Sequence, residues 1–147
     1  MLSPKLRVLY VDNDRDSCAM LIELLCLSGI RCQSADSAAE AWRMIPAQRF
    51  DLYMLQAWLP DVDGFRLCSQ LRASYSKIPI LFYSAAAYPS DRQKGLGAGA
   101  DAYLVKPYVE NLASTISGLI TEAREVEWKS RPGALRNLIE SNRRATT

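Results

Sequence analysis

The sequence predicts an α/β domain built on a mostly parallel sheet, and two observations lead to that prediction. Short apolar runs alternate with longer amphipathic stretches along the chain, as in five successive βα units. The length of 147 residues suits one compact domain, and an apolar share of 49% with 23% charged residues is typical of a globular protein. We therefore expect one core, with a sheet that is covered by helices on both faces.

Five apolar runs predict the strands, and amphipathic stretches predict the helices between them. The predicted strands are Leu6–Val11, Ile30–Ser34, Asp51–Leu55, Ile78–Tyr83 and Ala102–Val105. The predicted helices are Arg15–Leu27, Ala38–Ala47, Phe65–Ser74, Ser90–Leu96 and Val109 to about Lys129. Residues suited to N-caps and C-caps stand at several of these boundaries, namely Asp14, Ser37 and Asp63 before helices and Gly29 and Gly97 after them.

Composition excludes several classes of function. The chain contains no His, so it has neither the commonest general base nor the commonest transition-metal ligand. Residues 1–124 hold 13 of the 18 basic and 13 of the 16 acidic side chains, so the net charge of +2 lies in the last 23 residues. That excess is too small for a nucleic-acid surface. No signal-peptide pattern or membrane-spanning run is visible, and we expect a cytoplasmic protein with no nucleic-acid or membrane partner.

The four cysteines contain no CxxC pair and lie in apolar stretches, so we expect buried free thiols rather than disulfides or a zinc site. They are Cys18, Cys26, Cys32 and Cys68.

Polar side chains interrupt the chain where four of the predicted strands end. In a doubly wound parallel sheet these ends open onto one crevice, which is where such folds place their sites. The polar residues are Asp12, Asn13 and Asp14 after the first strand, Gln56 after the third, Ser84 after the fourth, and Lys106 with Pro107 after the fifth.

These residues make the sequence resemble the receiver domain of bacterial response regulators, from about Lys5 to Arg124. The resemblance lies in four segments: VDND at 11–14, LQAWLPDVDGF at 55–65, FYSA at 82–85 and GADAYLVKP at 99–107. It implies a flavodoxin-like, doubly wound sheet of five strands in the order 2-1-3-4-5. It also implies a receiver domain over residues 1–124, and the apolar pattern of the remaining residues predicts a helical extension over 125–147.

In that family, an Asp at the end of the third strand accepts a phosphoryl group from a histidine kinase. An acidic pair and this Asp hold Mg²⁺, which neutralises charge on the phosphoryl oxygens. The resemblance gives Ser84 the role of the hydroxyl that senses the phosphate and Lys106, before Pro107, that of its ammonium partner. It makes Tyr103 the aromatic ring whose position relays the change.

Two positions depart from the family pattern. Gln56 stands at the acceptor position, and a neutral carboxamide lacks the anionic oxygen that attacks phosphorus. Asn13 stands at the second acidic position, which leaves Asp12, helped at most by Asp14, as a weak metal ligand. We expect weak or no Mg²⁺ binding, no other cofactor, and no catalytic residues. If the alignment were displaced, the nearest acids would be Asp51, at the wrong end of the strand, and Asp61 and Asp63, in the following loop.

Two details of the pocket stay open at the level of sequence. Lys106 can pair with Asp12 or with the amide of Gln56. Trp58 either covers the mouth of the crevice or is a partly exposed aromatic side chain without a role.

Residues beyond 124 carry a second apolar pattern. Val126 and Trp128 extend the last receiver helix, and Pro132 with Gly133 is expected to end it. A short stripe at helical spacing follows, flanked by Arg side chains, and it must pack either on its own domain or on a partner. The residues predicted to bind a partner are Trp128, Leu135, Leu138 and Ile139.

The sequence thus predicts a stand-alone receiver of two-component signalling that works as a protein-interaction module without Asp phosphorylation, and not as an enzyme. Its expected partners are signalling proteins such as a histidine kinase or an effector, or a second copy in a homodimer. One alternative is a receiver that a kinase modulates non-covalently or phosphorylates elsewhere. Another is a flavodoxin-like module that binds a small ligand in the same crevice.

Overall fold

The structure, a computed structural model, describes residues 5–130 and Gly133. Five parallel strands form one sheet in the order β2-β1-β3-β4-β5. The strands are β1 (Leu6–Val11), β2 (Ile30–Ala35), β3 (Leu52–Leu55), β4 (Ile80–Ser84) and β5 (Ala102–Val105). This arrangement confirms the predicted fold class, including the strand order.

Helices connect the strands and cover both faces of the sheet. They are α1 (Arg15–Leu27), α2 (Ala38–Met44), α3 (Gly64–Ser74), α4 (Pro89–Gly97) and α5 (Leu112–Ser130). The three predicted N-caps are confirmed, because Asp14, Ser37 and Asp63 accept hydrogen bonds from backbone N–H groups in the first turns of α1, α2 and α3. Among residues 5–130, no helix is long and apolar enough to cross a membrane.

Several predicted boundaries were wrong by a few residues. The helix expected to end at Ala47 stops at Met44, and a short 3₁₀ turn that contains Pro46 follows, because proline cannot donate a hydrogen bond inside a helix. The last helix begins at Leu112 rather than Val109. Gly97 is the last residue of α4 rather than its terminating glycine, and Gly99 instead adopts a φ of 113°.

Each strand contributes alternate side chains to two cores. Leu9, Val11 and Phe82 lie in the core beneath α2, α3 and α4, whereas Val8 and Met54 lie in the core beneath α1 and α5. This alternation explains why the strands read as continuous apolar runs, since both faces are buried.

The loop between β3 and α3 is anchored at two points. The carboxylate of Asp61 accepts hydrogen bonds from the N–H groups of Ala38 at 3.1 Å and Ala39 at 2.9 Å, so it ties this loop to the start of α2. Gly64 packs directly on the backbone that follows β3, where its N–H donates to the Ala57 carbonyl at 2.6 Å. A Cβ atom on Gly64 would overlap the carbonyl oxygen of Gln56.

Gly64→Ala is therefore expected to lower the free energy of unfolding by about 1–3 kcal/mol, because the backbone at Gln56 must move. Gly118→Ala is the matched control. Gly118 lies on an exposed position of α5 with no atom within 4 Å of a new Cβ, and this change should stabilise the protein by about 0.5–1 kcal/mol. Urea unfolding followed by circular dichroism measures both values, and equal effects would contradict the close approach at Gly64.

Candidate functional site

The carboxyl ends of the strands bring the predicted polar residues to one edge of the sheet. Asp12 and Lys106 follow β1 and β5, and their Oδ2 and Nζ atoms are 2.5 Å apart. Ser84 ends β4, and its Oγ accepts a hydrogen bond of 3.4 Å from the N–H of Ala57, which follows Gln56. The predicted polar residues therefore meet at this edge of the sheet, where one ion pair and one hydroxyl connect the strand ends.

Asp12 is the most completely surrounded charge in the site, with only 1% of its surface exposed. Its Oδ2 accepts from the Lys106 ammonium and from the Tyr10 hydroxyl, and its Oδ1 accepts from the N–H of Asp14 at 2.9 Å. A buried carboxylate needs such donors, since burial without partners costs several kcal/mol.

Two aromatic rings hold the Lys106 ammonium from the other side. Its Nζ lies 5.8 Å from the ring centre of Tyr10 and 5.7 Å from that of Tyr83. The two rings contact each other edge to face at 6.1 Å, and the Tyr83 hydroxyl accepts from the N–H of Tyr108 at 3.2 Å. Of the two partners that the sequence left open for Lys106, the structure selects Asp12.

Burial, and next the neighbouring Asp12 carboxylate, raise the pKa of the Tyr10 phenol well above its usual value. Tyr10 therefore keeps its proton at physiological pH and acts as a hydrogen-bond donor.

Gln56 lies at the end of β3 with a half-buried side chain. Its N–H donates to Val11 at 3.0 Å, which continues the pairing with β1, and its side-chain oxygen accepts from the N–H of Ala57 at 3.2 Å. The amide thus sits at the position that the sequence assigns to the acceptor.

The nearby acids have structural partners elsewhere. The Asp51 carboxylate accepts from Arg124 at 3.0 Å and from the N–H of Arg7 at 2.8 Å, before β3 begins. Asp61 and Asp63 accept from N–H groups at the starts of α2 and α3. These contacts place all three carboxylates outside the pocket around Asp12.

The other two residues of the predicted acidic pocket, Asn13 and Asp14, are exposed to solvent. Asp14 caps α1, and hydrogen bonds from Ser17 lower the pKa of its carboxyl group. Within the described part of the chain, no three His, Cys, Asp or Glu side chains are grouped so that they could hold a metal ion.

A row of aromatic rings occupies the opposite face of the sheet. Tyr103 is 5% exposed, donates its hydroxyl to the Ala86 carbonyl at 2.6 Å and stacks on Phe82 at 5.4 Å. Phe82 packs against Phe65 at 5.2 Å, and Phe65 against Trp58 at 6.0 Å. Trp58 is 58% exposed, so it rests on Phe65 at the rim.

Gly95 gives the Tyr103 ring its room. A Cβ atom at this position of α4 would lie 2.8 Å from the ring of Tyr103 and 3.1 Å from that of Phe82. The inward position of Tyr103 therefore requires a residue without a side chain at position 95, because an added methyl group would collide with the ring.

Sequence reasoning missed three residues of this site: Tyr10, Tyr83 and Gly95. The signal for the tyrosines was a hydroxyl inside two otherwise apolar strands, since a buried Tyr generally finds a hydrogen-bond partner. No signal marked Gly95, because its role depends on a ring that lies eight residues further along the chain.

Three of the cysteines are buried free thiols, as expected, and burial raises the pKa of Cys18 and Cys68 to about 11 and that of Cys32 to about 12. The expectation was wrong for Cys26, which is exposed. Cys26 lies on the solvent side of α1, whose buried face is formed by Cys18, Leu21 and Leu25.

The predicted partner-binding residues fall at the end of the described chain. Trp128 lies in the last turns of α5 and is 41% exposed. Leu135, Leu138 and Ile139 lie outside the described residues. The domain boundary at residue 124 stays a prediction, and α5 runs through it to Ser130.

The fold and the site define a receiver domain, and comparison with known proteins shows the same class. A family model described as "Response regulator receiver domain" matches residues 8–117, and the chain belongs to this family of two-component signalling domains. The chain is 36% identical over 120 residues to the response regulator MprA of Mycobacterium leprae (strain TN), across 81% of this chain and 53% of that protein. It thus spans about half the length of the curated relatives it matches.

Solved structures agree with this assignment. A CheY-like response regulator receiver domain protein from Methanospirillum hungatei JF-1 has a TM-score of 0.77 at 25% identity, with 83% of this chain and 98% of that chain covered. A putative response regulator from Chloroflexus aurantiacus J-10-fl has a TM-score of 0.76 at 29% identity, with 80% and 99% covered.

Lys106→Met is expected to lower the free energy of unfolding by about 3 kcal/mol, because it leaves Asp12 charged and buried without its cation. Adding Asp12→Asn should recover much of that loss, since the uncompensated charge is removed. Lys94→Met, at an exposed lysine of α4, is the control and should change stability little. Denaturant unfolding of the three variants measures these differences, and equal losses in the single and double variants would contradict a tight ion pair.

Proposed function

We propose that this receiver domain is a protein-interaction module that works without phosphorylation of an Asp at the end of β3. One observation carries the proposal: Gln56 occupies the end of β3 at the edge shared with Asp12, Ser84 and Lys106. A carboxamide supplies no anionic oxygen for attack on phosphorus and forms no stable phosphoryl ester. In this proposal the domain is not an enzyme.

The charges around Gln56 support the same proposal. Asp12 is already neutralised by Lys106, and Asn13 and Gln56 add no negative charge. Mg²⁺ prefers several anionic oxygens in near-octahedral geometry, so the residues present do not fit this ion. We propose that the domain functions without Mg²⁺ or another cofactor.

We propose that Ser84 and Tyr103 keep the switching roles that the family resemblance gives them. Ser84 is buried and its Oγ accepts from the N–H groups of Ala57 and Ala86, while Tyr103 points inward beside Gly95. A two-state domain without a covalent signal responds to whatever binds one state more tightly. In this proposal a binding partner shifts the equilibrium between the two conformations, as phosphorylation does in other receiver domains.

The partner is a signalling protein such as a histidine kinase or an effector, or a second copy of this chain. The surface formed by α4, β5 and α5 exposes several apolar side chains, among them Leu96 on α4, Val105 on β5, and Val126 and Trp128 on α5. Exposed apolar groups of this kind are common in binding surfaces. Gly95 of α4 lies against the Tyr103 ring, so in this proposal binding at α4 responds to the position of that ring.

Two other functions remain as outcomes of experiment. Phosphate on a different residue, or non-covalent modulation by a kinase, keeps the domain in the phosphorelay. A small ligand in the crevice would make it a flavodoxin-like binding module, and such a ligand would copurify with the protein.

Incubation of the whole chain with acetyl phosphate and Mg²⁺ should leave its intact mass unchanged, because the acceptor position holds the amide of Gln56. Beryllofluoride with Mg²⁺ should leave the fluorescence of its three Trp residues unchanged. The control carries Asn13→Asp and Gln56→Asp, which return both carboxylates, and it should bind Mg²⁺ at least weakly. Stoichiometric phosphorylation of the unaltered chain would contradict the proposal.

Replacing Leu135, Leu138 and Ile139 together by Ser should leave the described fold intact and weaken self-association or partner binding by about tenfold or more, because apolar anchors dominate such contacts. Trp128→Ala should act in the same direction. Sedimentation and a pull-down measure binding, and circular dichroism checks folding. Global unfolding of the triple variant would mean that the tail braces the domain and does not bind partners.

A further inference from the structure

Three donors already hydrogen-bond to the Asp12 carboxylate, and two of them meet at its Oδ2 atom. A carboxylate oxygen offers about two lone-pair directions, and Oδ2 uses both, for the Lys106 ammonium and the Tyr10 hydroxyl. Oδ1 accepts from the N–H of Asp14 at 2.9 Å. A metal ion coordinates through lone pairs, so it must remove one of these donors before it can bind at Oδ2.

Tyr10 holds its position more firmly than a surface side chain could. It lies in β1, which pairs with β2 on one side and β3 on the other, and it is fully buried. Its ring packs edge to face on Tyr83. Its hydroxyl donates to the carboxylate of Asp12, which is only two positions further along the chain. The donor is therefore directed at Oδ2 before any ligand arrives.

Lys106 is held in the same place by contacts other than its ion pair with Asp12. The rings of Tyr10 and Tyr83 both lie within 6 Å of its Nζ, at distances where a cation is attracted to an aromatic face. If the ammonium moved toward Gln56 or an incoming anion, it would lose Asp12 and both rings together.

We propose that Tyr10 and Lys106 form a built-in cap on the Oδ2 atom of Asp12 that weakens the binding of divalent cations in this pocket. The Lys106 ammonium supplies the positive charge, and the Tyr10 hydroxyl occupies the remaining acceptor direction of Oδ2. Tyr10 is the positioning residue that makes this weakening independent of Gln56 and Asn13. This inference rests on the proposed function, and it adds that restored carboxylates alone do not restore a good metal site.

Tyr83 provides a matched comparison for Tyr10. Both tyrosines are buried on the same face of the sheet and lie at nearly equal distances from the Lys106 ammonium. Only the Tyr10 hydroxyl reaches Asp12, since that of Tyr83 accepts from the N–H of Tyr108. If the tyrosines acted merely by filling the core, removing either hydroxyl would have the same effect on metal binding.

The test uses the full chain carrying Asn13→Asp and Gln56→Asp, with Mn²⁺ as the probe and its unbound fraction measured by electron paramagnetic resonance. Adding Tyr10→Phe should tighten Mn²⁺ binding about tenfold, the size expected for one hydrogen bond to a charged group. Adding Tyr83→Phe instead should change it less than twofold. Equal effects of the two substitutions, or no effect of Tyr10→Phe, would overturn the proposed cap.

A second measurement does not depend on the restored carboxylates. Millimolar Mn²⁺ should raise the thermal midpoint of Lys106→Met by several degrees, because Asp12 is then uncapped on one side and bound metal stabilises the folded state. It should leave the midpoint of the unaltered chain unchanged. No shift in Lys106→Met would also overturn the cap.

These outcomes are distinct from those that test the proposed function. Phosphorylation of the unaltered chain would be detected as an increase in its intact mass. It would contradict the proposed function, whether or not Tyr10 affects metal binding. A failed cap, in contrast, changes only the relative Mn²⁺ affinities of the variants and leaves the unphosphorylated state of Gln56 as it is.

Discussion

The buried ion pair between Asp12 and Lys106 is the constraint around which the functional edge of the sheet is organised. It joins the ends of β1 and β5, two strands that are not neighbours in the sheet, across a separation of 94 residues in the chain. A buried carboxylate is tolerated only with donors around it. The Tyr10 hydroxyl, the Tyr83 ring and the N–H of Asp14 therefore take positions that the carboxylate and its cation require.

The two faces of the sheet carry different sets of side chains. Tyr10 and Tyr83 lie beneath α1 and α5 and hold the charges, whereas Phe82 and Tyr103 lie beneath α3 and α4 and form the aromatic row. Ser84 stands between them at the end of β4. In the proposed function, Ser84 and Tyr103 keep the switching roles that the family resemblance gives them, and the amide of Gln56 replaces the acceptor of the covalent signal. Such a combination suits a domain whose input is the binding of another molecule.

Much of the fold could be predicted from the sequence because its signals are local. Apolar runs mark strands that are buried on both faces, and Asp14, Ser37 and Asp63 cap their helices within three residues. Where a predicted helix boundary was wrong, a local effect overrode the hydrophobic periodicity, as at Pro46, which ends α2 early. The exposed position of Cys26 depended on the face of α1 and not on its apolar neighbours.

The sequence by itself determined the class of fold, the edge where the polar residues meet, and the amide at position 56, because strand ends follow from periodicity and the strand order follows from the resemblance to the receiver family. Only the tertiary structure decided that Lys106 pairs with Asp12 rather than Gln56, that Tyr10 completes that carboxylate, and that Gly95 leaves room for Tyr103. These contacts join side chains from strands and helices far apart in the chain. Their partners are set by sheet register and packing, which no local pattern encodes.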